Sequence, residues 1–183
     1  MFKFSSVVIL SVFASINTAS ATQPGSYAGQ EQREIKALSS EEIQSYYAGK
    51  GAGLAKVAEL NHYPGPAHVL ELADKLQLSE EQKVRTKATF DVMQKEAVRQ
   101  GKILVEKERE LDRQFAVGAI TSDDLRSALM QIGNLQAEIR SAHLQAHLEQ
   151  KAILTKEQVA KYDELRGYTS RNASESDDHS HNH

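Results

Sequence analysis

The chain contains no cysteine and no tryptophan among its 183 residues. Without cysteine there is no disulfide framework, no thiolate zinc site and no residue to carry a lipid anchor. Aromatics make up 6% of the chain, which argues against a carbohydrate-binding or base-stacking platform. Proline is scarce and lopsided: Pro24, Pro64 and Pro66, and none after. A proline inside a helix costs about 3 kcal/mol. Its absence beyond Pro66 therefore permits long helices over the last two-thirds of the chain. Six of the ten glycines also precede Pro66. Charge of either sign is not in excess: 22 Lys and Arg stand against 25 Asp and Glu, interspersed, for a net charge of −3. There is no basic stripe, so nucleic acid is not an expected partner. No nucleophile elbow, phosphate-binding loop or H-E-x-x-H motif occurs. Carboxylates are plentiful, but no pair stands out for acid–base work, and the chain is not expected to be an enzyme.

Only one long apolar run exists, and it lies at the start. Lys3 is followed by Ser5–Ile16, uncharged and apolar or small, and then by Ala19-Ser20-Ala21. A charged n-region, a short apolar h-region and an A-x-A site form the pattern of a cleaved signal peptide, residues 1–21. The run of about a dozen residues is too short to span a bilayer. An uncleaved N-terminal anchor is the bland alternative. The expected mature chain, about 162 residues from Thr22, fits one domain in the periplasm.

Residues 22–38 are expected to form a flexible arm. Ser39 or Ser40 caps a short helix through Tyr47, with Glu41 and Glu42 in its first turn where the helix dipole favours anions. The glycines from Gly49 to Gly53 break the chain like a hinge. Leu54–Leu60 reads as a further helical turn, and Asn61–Pro66 as a rigid turn. A helix over Ala67–Leu76 follows, with Pro66 as its first residue. In Leu78-Ser79-Glu80-Glu81-Gln82, Ser79 at the N-cap and Gln82 three residues on form a capping box. From there to Val117 nothing stops a helix. Val84, Ala88, Val92, Val98, Leu104, Leu111 and Phe115 recur near helical spacing, and opposite charges three or four apart mark a solvated face. Gly118 ends it. Thr121 or Ser122 starts the next helix, which runs to about Ile153. Leu154-Thr155-Lys156-Glu157-Gln158 repeats the capping box and opens a last helix ending near Gly167.

Two helices of roughly 30 to 40 residues joined by a short loop predict a long antiparallel hairpin, too thin to make a deep core alone. The second of them has two apolar stripes. Leu125, Leu129, Ile132, Leu135, Ile139 and Ala142 form one; Met130, Ala137, Leu144 and Leu148 lie roughly opposite. One stripe would serve the hairpin and the other a second subunit, unless the N-terminal helices cover it within one chain. The predicted class is thus all-α, a long helical hairpin with short flanking helices, as a homodimer.

His143 and His147 are four apart, share one helix face and could ligate one metal ion. They lie at the border between the two stripes. Packing residues with satisfied ring nitrogens are the plain alternative. A third ligand would have to come from His62 or His68, which flank the Pro-Gly-Pro turn, or more weakly from Glu59 or Glu149. Residues 169–183 predict a disordered tail, with His179, His181 and His183 beside Asp177 and Asp178. Such a tail can chelate Zn²⁺, Cu²⁺ or Ni²⁺ weakly, or simply solubilise.

The two boxes, Leu78, Ser79, Gln82 and Leu154, Thr155, Gln158, resemble the LTxxQ motif of the Spy/CpxP family of periplasmic proteins. Ser79 departs from the pattern but keeps the capping hydroxyl. The stretches Tyr63–Leu72 and Val159–Tyr168 are also similar to the branch described as periplasmic heavy-metal resistance proteins or sensors. The resemblance covers about residues 40–168. It implies an intertwined homodimer forming a shallow cradle. It also implies one of two roles: an ATP-independent chaperone or envelope-stress protein holding unfolded or envelope proteins, or a sensor of Zn, Ni, Co or Cu with a membrane-bound signalling partner. In the metal-sensing members a late His-x3-Met pair joins an early His-x3-His pair; here the late pair is His143-x3-His147 and the early pair is missing. A structural or regulatory interaction protein without either activity is a third expectation. No cofactor is required for the first role; a divalent transition metal is for the second.

Overall fold

In a computed structural model the described residues are 25–169. The expected signal peptide and the tail histidines His179, His181 and His183 lie outside them. The chain divides into two units, Met1–Glu31 and Gln32–His183. Among the described residues of the first there are turns and the start of a 3-10 turn at Gln30–Gln32. The second holds six α-helices and, among the described residues, no strand: α1 Ser40–Tyr47, α2 Lys56–Glu59, α3 Pro66–Glu71, α4 Glu80–Ala116, α5 Ser122–Ile153 and α6 Lys156–Arg166. The protein is all-α.

Local chemistry sets the helix ends. Ser39, Ser79, Thr121 and Thr155 each accept from the backbone N–H three residues on, and Glu42, Gln82, Asp124 and Gln158 return a side-chain acceptor to the cap N–H. Each box satisfies donors that a helix start leaves orphaned. At the other end of α4, Gly118 takes φ 66 while its N–H reaches the Phe115 carbonyl and that of Ala119 the Gln114 carbonyl. That is a Schellman closure, for which glycine carries no steric penalty. Gln77 closes the turns after α3 the same way at φ 51, with Leu78 N–H donating to the Ala73 carbonyl. The helix expected over Ala67–Leu76 is therefore shorter: regular geometry stops at Glu71 and irregular turns lead to Gln77.

Helices α4 and α5 pack together with residue numbers running in opposite directions. Thr86 accepts from the Gln150 amide at 3.1 Å, Leu104 clusters with Ile132 and Ile139, and Gln114 and Leu111 share a small cavity with Asp124 and Ala128. The face of α4 that is buried carries Thr86, Met93, Ala97, Gln100, Gly101, Leu104 and Val105. Val84 and Val92, which the periodicity groups with Leu104, instead point outward, each 69% exposed. Small residues let other elements lie close to α4. A Cβ on Gly101 would stand 2.5 Å from the Tyr46 carbonyl oxygen, where α1 crosses.

Among the described residues the core is three separate clusters rather than one. Val69, Leu76, Leu78, Leu154 and Tyr162 join α3, α6 and the two box leucines. Leu104, Ile132 and Ile139 join α4 to α5. Ile35, Leu38, Ile43 and Val105 fix residues 35–43 against α4. That third cluster corrects the expectation of a flexible arm as far as residue 38. Ile35 is fully buried, Glu34 pairs with Arg109 and Lys36 with Asp112. The apolar pair Ile35 and Leu38 needs cover from water more than it needs freedom.

The second and fourth boxes, the two with glutamine, are joined to each other. Gln82 donates to the Gln158 side-chain oxygen at 2.7 Å and to the Ile153 carbonyl at 3.0 Å. Gln158 donates back to the Gln82 side-chain oxygen at 3.0 Å and to the Leu76 carbonyl at 3.2 Å. An amide can do this because it accepts through oxygen, for the cap, and donates through nitrogen, for the partner motif. A glutamate at the same place can only accept.

Candidate functional site

The clasp of the two boxes fixes where α6 starts, and α6 organises the site. From Tyr162 the phenolic hydroxyl donates to Glu59 Oε1, and Tyr168, just beyond the helix, donates to the same oxygen at 3.1 Å. Arg166 Nε stands 3.5 Å from that oxygen and His68 Nδ1 also 3.5 Å. Glu59 is the last residue of α2 and is buried. Burial, and then the adjacent Glu59 carboxylate, push the Tyr162 hydroxyl far above its ordinary range, so it stays a donor.

The loop after α2 is held on the same support. His62 takes the left-handed conformation at φ 65, with the N–H of Tyr63 closing onto the Ala58 carbonyl. Its Nδ1 lies 2.8 Å from Asp163 Oδ2, and Asp163 is itself buried. The next residue, Tyr63, places its carbonyl 2.7 Å from His147 Nδ1 and its ring under Lys151, 3.8 Å away. A carbonyl oxygen only accepts. Nδ1 of His147 therefore carries a hydrogen, and in that tautomer of the ring Nε2 is the lone pair. The 3.8 Å approach of Nδ1 to Glu59 Oε2 is a proximity, because its hydrogen is already committed to Tyr63.

His143 and His147 lie on the buried face of α5, in line with Ile139, Ala146 and Gln150, rather than at a stripe border. Their rings are met by glycine backbone. A Cβ on Gly51 would sit 3.3 Å from His143 Nδ1, and one on Gly65 would sit 2.9 Å from His147 Cε1 and 3.1 Å from its Nε2. The glycines read from the sequence as a hinge are thus, at position 51, room for a histidine. Nε2 of His143 is enclosed without a hydrogen-bond partner. Burial, helped by neighbouring His147, lowers the pKa of His143 and keeps the ring neutral.

His68, His143, His147 and Glu59 all line one cavity of about 730 Å³, together with Leu60, Ala67, Phe90, Met93 and Tyr168. Of the sequence candidates, His62 belongs to a different contact, with Asp163. Glu149 is exposed and interacts with Gln145 and Thr89. Among the described residues no group of three or more His, Asp or Glu side chains is arranged to hold a metal ion. Sequence reasoning missed Tyr162, Asp163, Arg166 and Tyr168. Their local signals are that Tyr162, Asp163 and Arg166 lie at helical spacing on α6 and that all four fall in the stretch Val159–Tyr168 noted for its resemblance.

Comparison with family models, with curated proteins and with solved structures gave no match. What the fold defines is an all-helical protein with a clasped pair of capping motifs and a cavity walled by histidines and one buried carboxylate.

Proposed function

We propose that this chain is an exported, periplasmic, non-enzymatic binding module of the Spy/CpxP kind, a long helical hairpin that pairs with a second copy. It holds unfolded or envelope proteins without ATP. The observation that carries this reading is the open face of α5. Met130 is 65% and Leu148 52% exposed, with Ala137 exposed between them. Leu144 in the same stripe is half-buried, and most of the stripe is left open to a partner. On α4, Val84 and Val92 add outward apolar side chains among Arg85, Lys87 and Lys95, whose stems can cover an apolar client while their heads stay in water. A membrane-bound signalling partner fits the same surface. The test is light scattering of the chain from Thr22 beside suppression of aggregation of a chemically unfolded client. The parent is expected to be dimeric and protective, and the pair Met130→Asp with Leu148→Asp to lose both. A monomeric parent, or full protection by the double variant, would refute it.

A second reading, binding of Zn, Ni, Co or Cu for sensing or buffering, is supported by one observation. His147 is held by a backbone carbonyl with Nε2 free, the arrangement that metal-ligating histidines commonly have. His143, His68 and Glu59 share its cavity. Calorimetry with Zn²⁺, Ni²⁺ and Cu²⁺, on the full chain and on one ending at Tyr168, tests it. Tight binding that survives truncation and is lost in His143→Ala supports a site in the cavity. Weak binding confined to the longer chain assigns it to His179, His181 and His183.

A further inference from the structure

The cavity is far larger than an ion and its ligands require. At about 730 Å³ it falls in the range of small-molecule sites, about 300–1,000 Å³. Its walls include the apolar side chains of Leu60, Ala67, Phe90 and Met93. Two polar groups that remain open in it can act as acceptors. Glu59 Oε1 is occupied by two tyrosine hydroxyls, whereas Oε2 accepts no hydrogen bond among the described residues. His147 donates from Nδ1 to Tyr63, and in that tautomer Nε2 is a lone pair. These two acceptors flank Gly65: the position of a Cβ there would be 3.1 Å from His147 Nε2 and 3.5 Å from Glu59 Oε2. Glycine lets the backbone come this close to both, where a side chain would press on the His147 ring and on the approach to the two acceptors. His143 lines the same wall, with neither ring nitrogen hydrogen-bonded among the described residues.

We propose that this cavity binds a small organic ammonium ion, a protonated primary amine on an apolar body. The ammonium donates to Glu59 Oε2 and His147 Nε2 in front of Gly65, and the body lies against Phe90, Met93 and Ala67. An anion would meet the second carboxylate oxygen and a lone pair. A neutral alcohol would leave Oε2 without a cationic partner of its own. The guanidinium nearest Glu59, that of Arg166, sits on the Oε1 side, as does the His68 ring. Lys50 and Lys56 belong to the exposed rim, where their stems let the ammonium groups turn to water. The inference is independent of client holding and differs from the metal reading in the size and lining of the site.

The test is calorimetric titration of the full exported chain with n-hexylammonium chloride, beside 1-hexanol, sodium hexanoate and ZnCl₂. Saturable binding of the amine is expected, with none of the alcohol or the carboxylate. Glu59→Gln should weaken it by about ten-fold or more. Because Glu59 also anchors α6, Ala67→Phe provides a second variant: it fills a partly exposed wall and should abolish binding while the circular dichroism stays that of the parent. No saturable heat up to about 10 mM amine would overturn the proposal. So would equal binding of hexanol, binding unchanged in Ala67→Phe, or saturable binding of Zn²⁺ alone.

Discussion

The glutamine clasp can be tested with a single near-isosteric change, Gln158→Glu. Glutamate keeps the capping acceptor for the Thr155 N–H, now at 2.9 Å. It also keeps an acceptor for the Gln82 amide. What it loses is both donations from Nε2, to Leu76 O at 3.2 Å and to Gln82 Oε1 at 3.0 Å. Two net hydrogen bonds are worth about 1 kcal/mol each, and a half-buried carboxylate now faces two oxygens, so the loss should be about 2–4 kcal/mol. For a chain of this size that is a fall in Tm of about 5–12 °C. Ordinary helix-end rules give the opposite sign, since an anion in the first turn gains about 0.3–1 kcal/mol from the dipole. The pH dependence separates the two. The new carboxyl faces acceptors, so its pKa in the folded state is raised above the unfolded value. The folded variant then binds more protons than the unfolded one, and its stability falls as pH rises through that interval. The deficit against the parent should be largest at neutral pH and shrink toward pH ~4. Urea unfolding followed by circular dichroism, with unchanged slope, measures it. A variant within about 0.5 kcal/mol of the parent at neutral pH, or more stable, would refute the clasp as a stabilising element.

Two glycines inside long helices should respond oppositely to alanine. Gly101→Ala should destabilise by about 1–3 kcal/mol, because its Cβ would meet the Tyr46 carbonyl at 2.5 Å, despite the better helix propensity. Gly133→Ala, with nothing within 4 Å, should stabilise by about 0.5–1 kcal/mol; thermal melts of both decide it. The lowered pKa of His143 makes its unfolded state bind more protons just below pH ~6.5, so the fold loses stability there on acidification. His143→Gln should flatten that part of the Tm-against-pH curve relative to the parent, and a parallel curve would show that the ring does not titrate with unfolding.

Caps were legible because they are local. Ser39 rather than Ser40 is the cap of α1 because only Ser39 has Glu42 three residues on, a rule that also selects Thr121 with Asp124. The buried faces were not legible. Apolar periodicity groups Val84 and Val92 with the interior of α4, yet the partner helix meets Thr86, which pairs with Gln150 in the buried interior. Periodicity shows that a face exists; the neighbouring element decides which face is covered. The histidines illustrate both halves. Four-residue spacing puts His143 and His147 on one side of α5, but only the loop bearing Gly51 and Gly65 makes that side an interior wall. Glu59 was a weak candidate because its partners Tyr162 and Tyr168 stand 103 and 109 positions away, beyond any local pattern. Glutamine at the third position of both boxes was a signal that went unread. Glutamate caps equally well, so an amide in both places points to a need for donors.

Clasp and cavity are consecutive links in one chain of support. Leu154 and Val159 pack in the same cluster as Val69 and Leu78, and Gln158 ties the first turn of α6 to Leu76 and Gln82. One turn later Tyr162 is fully buried, and its hydroxyl meets Glu59 Oε1 and, at 3.4 Å, His68 Nδ1. All the donors that hold Glu59 come from the α6 side, at Tyr162 and Tyr168. The carboxylate is therefore held through one oxygen and open through the other, and the open oxygen turns toward His147 and Gly65. A polar hub satisfied on both sides would have been scaffolding alone. The asymmetry follows from where α6 begins, which the two glutamines fix. A loosened clasp in Gln158→Glu should accordingly weaken whatever occupies the cavity, although position 158 does not line it.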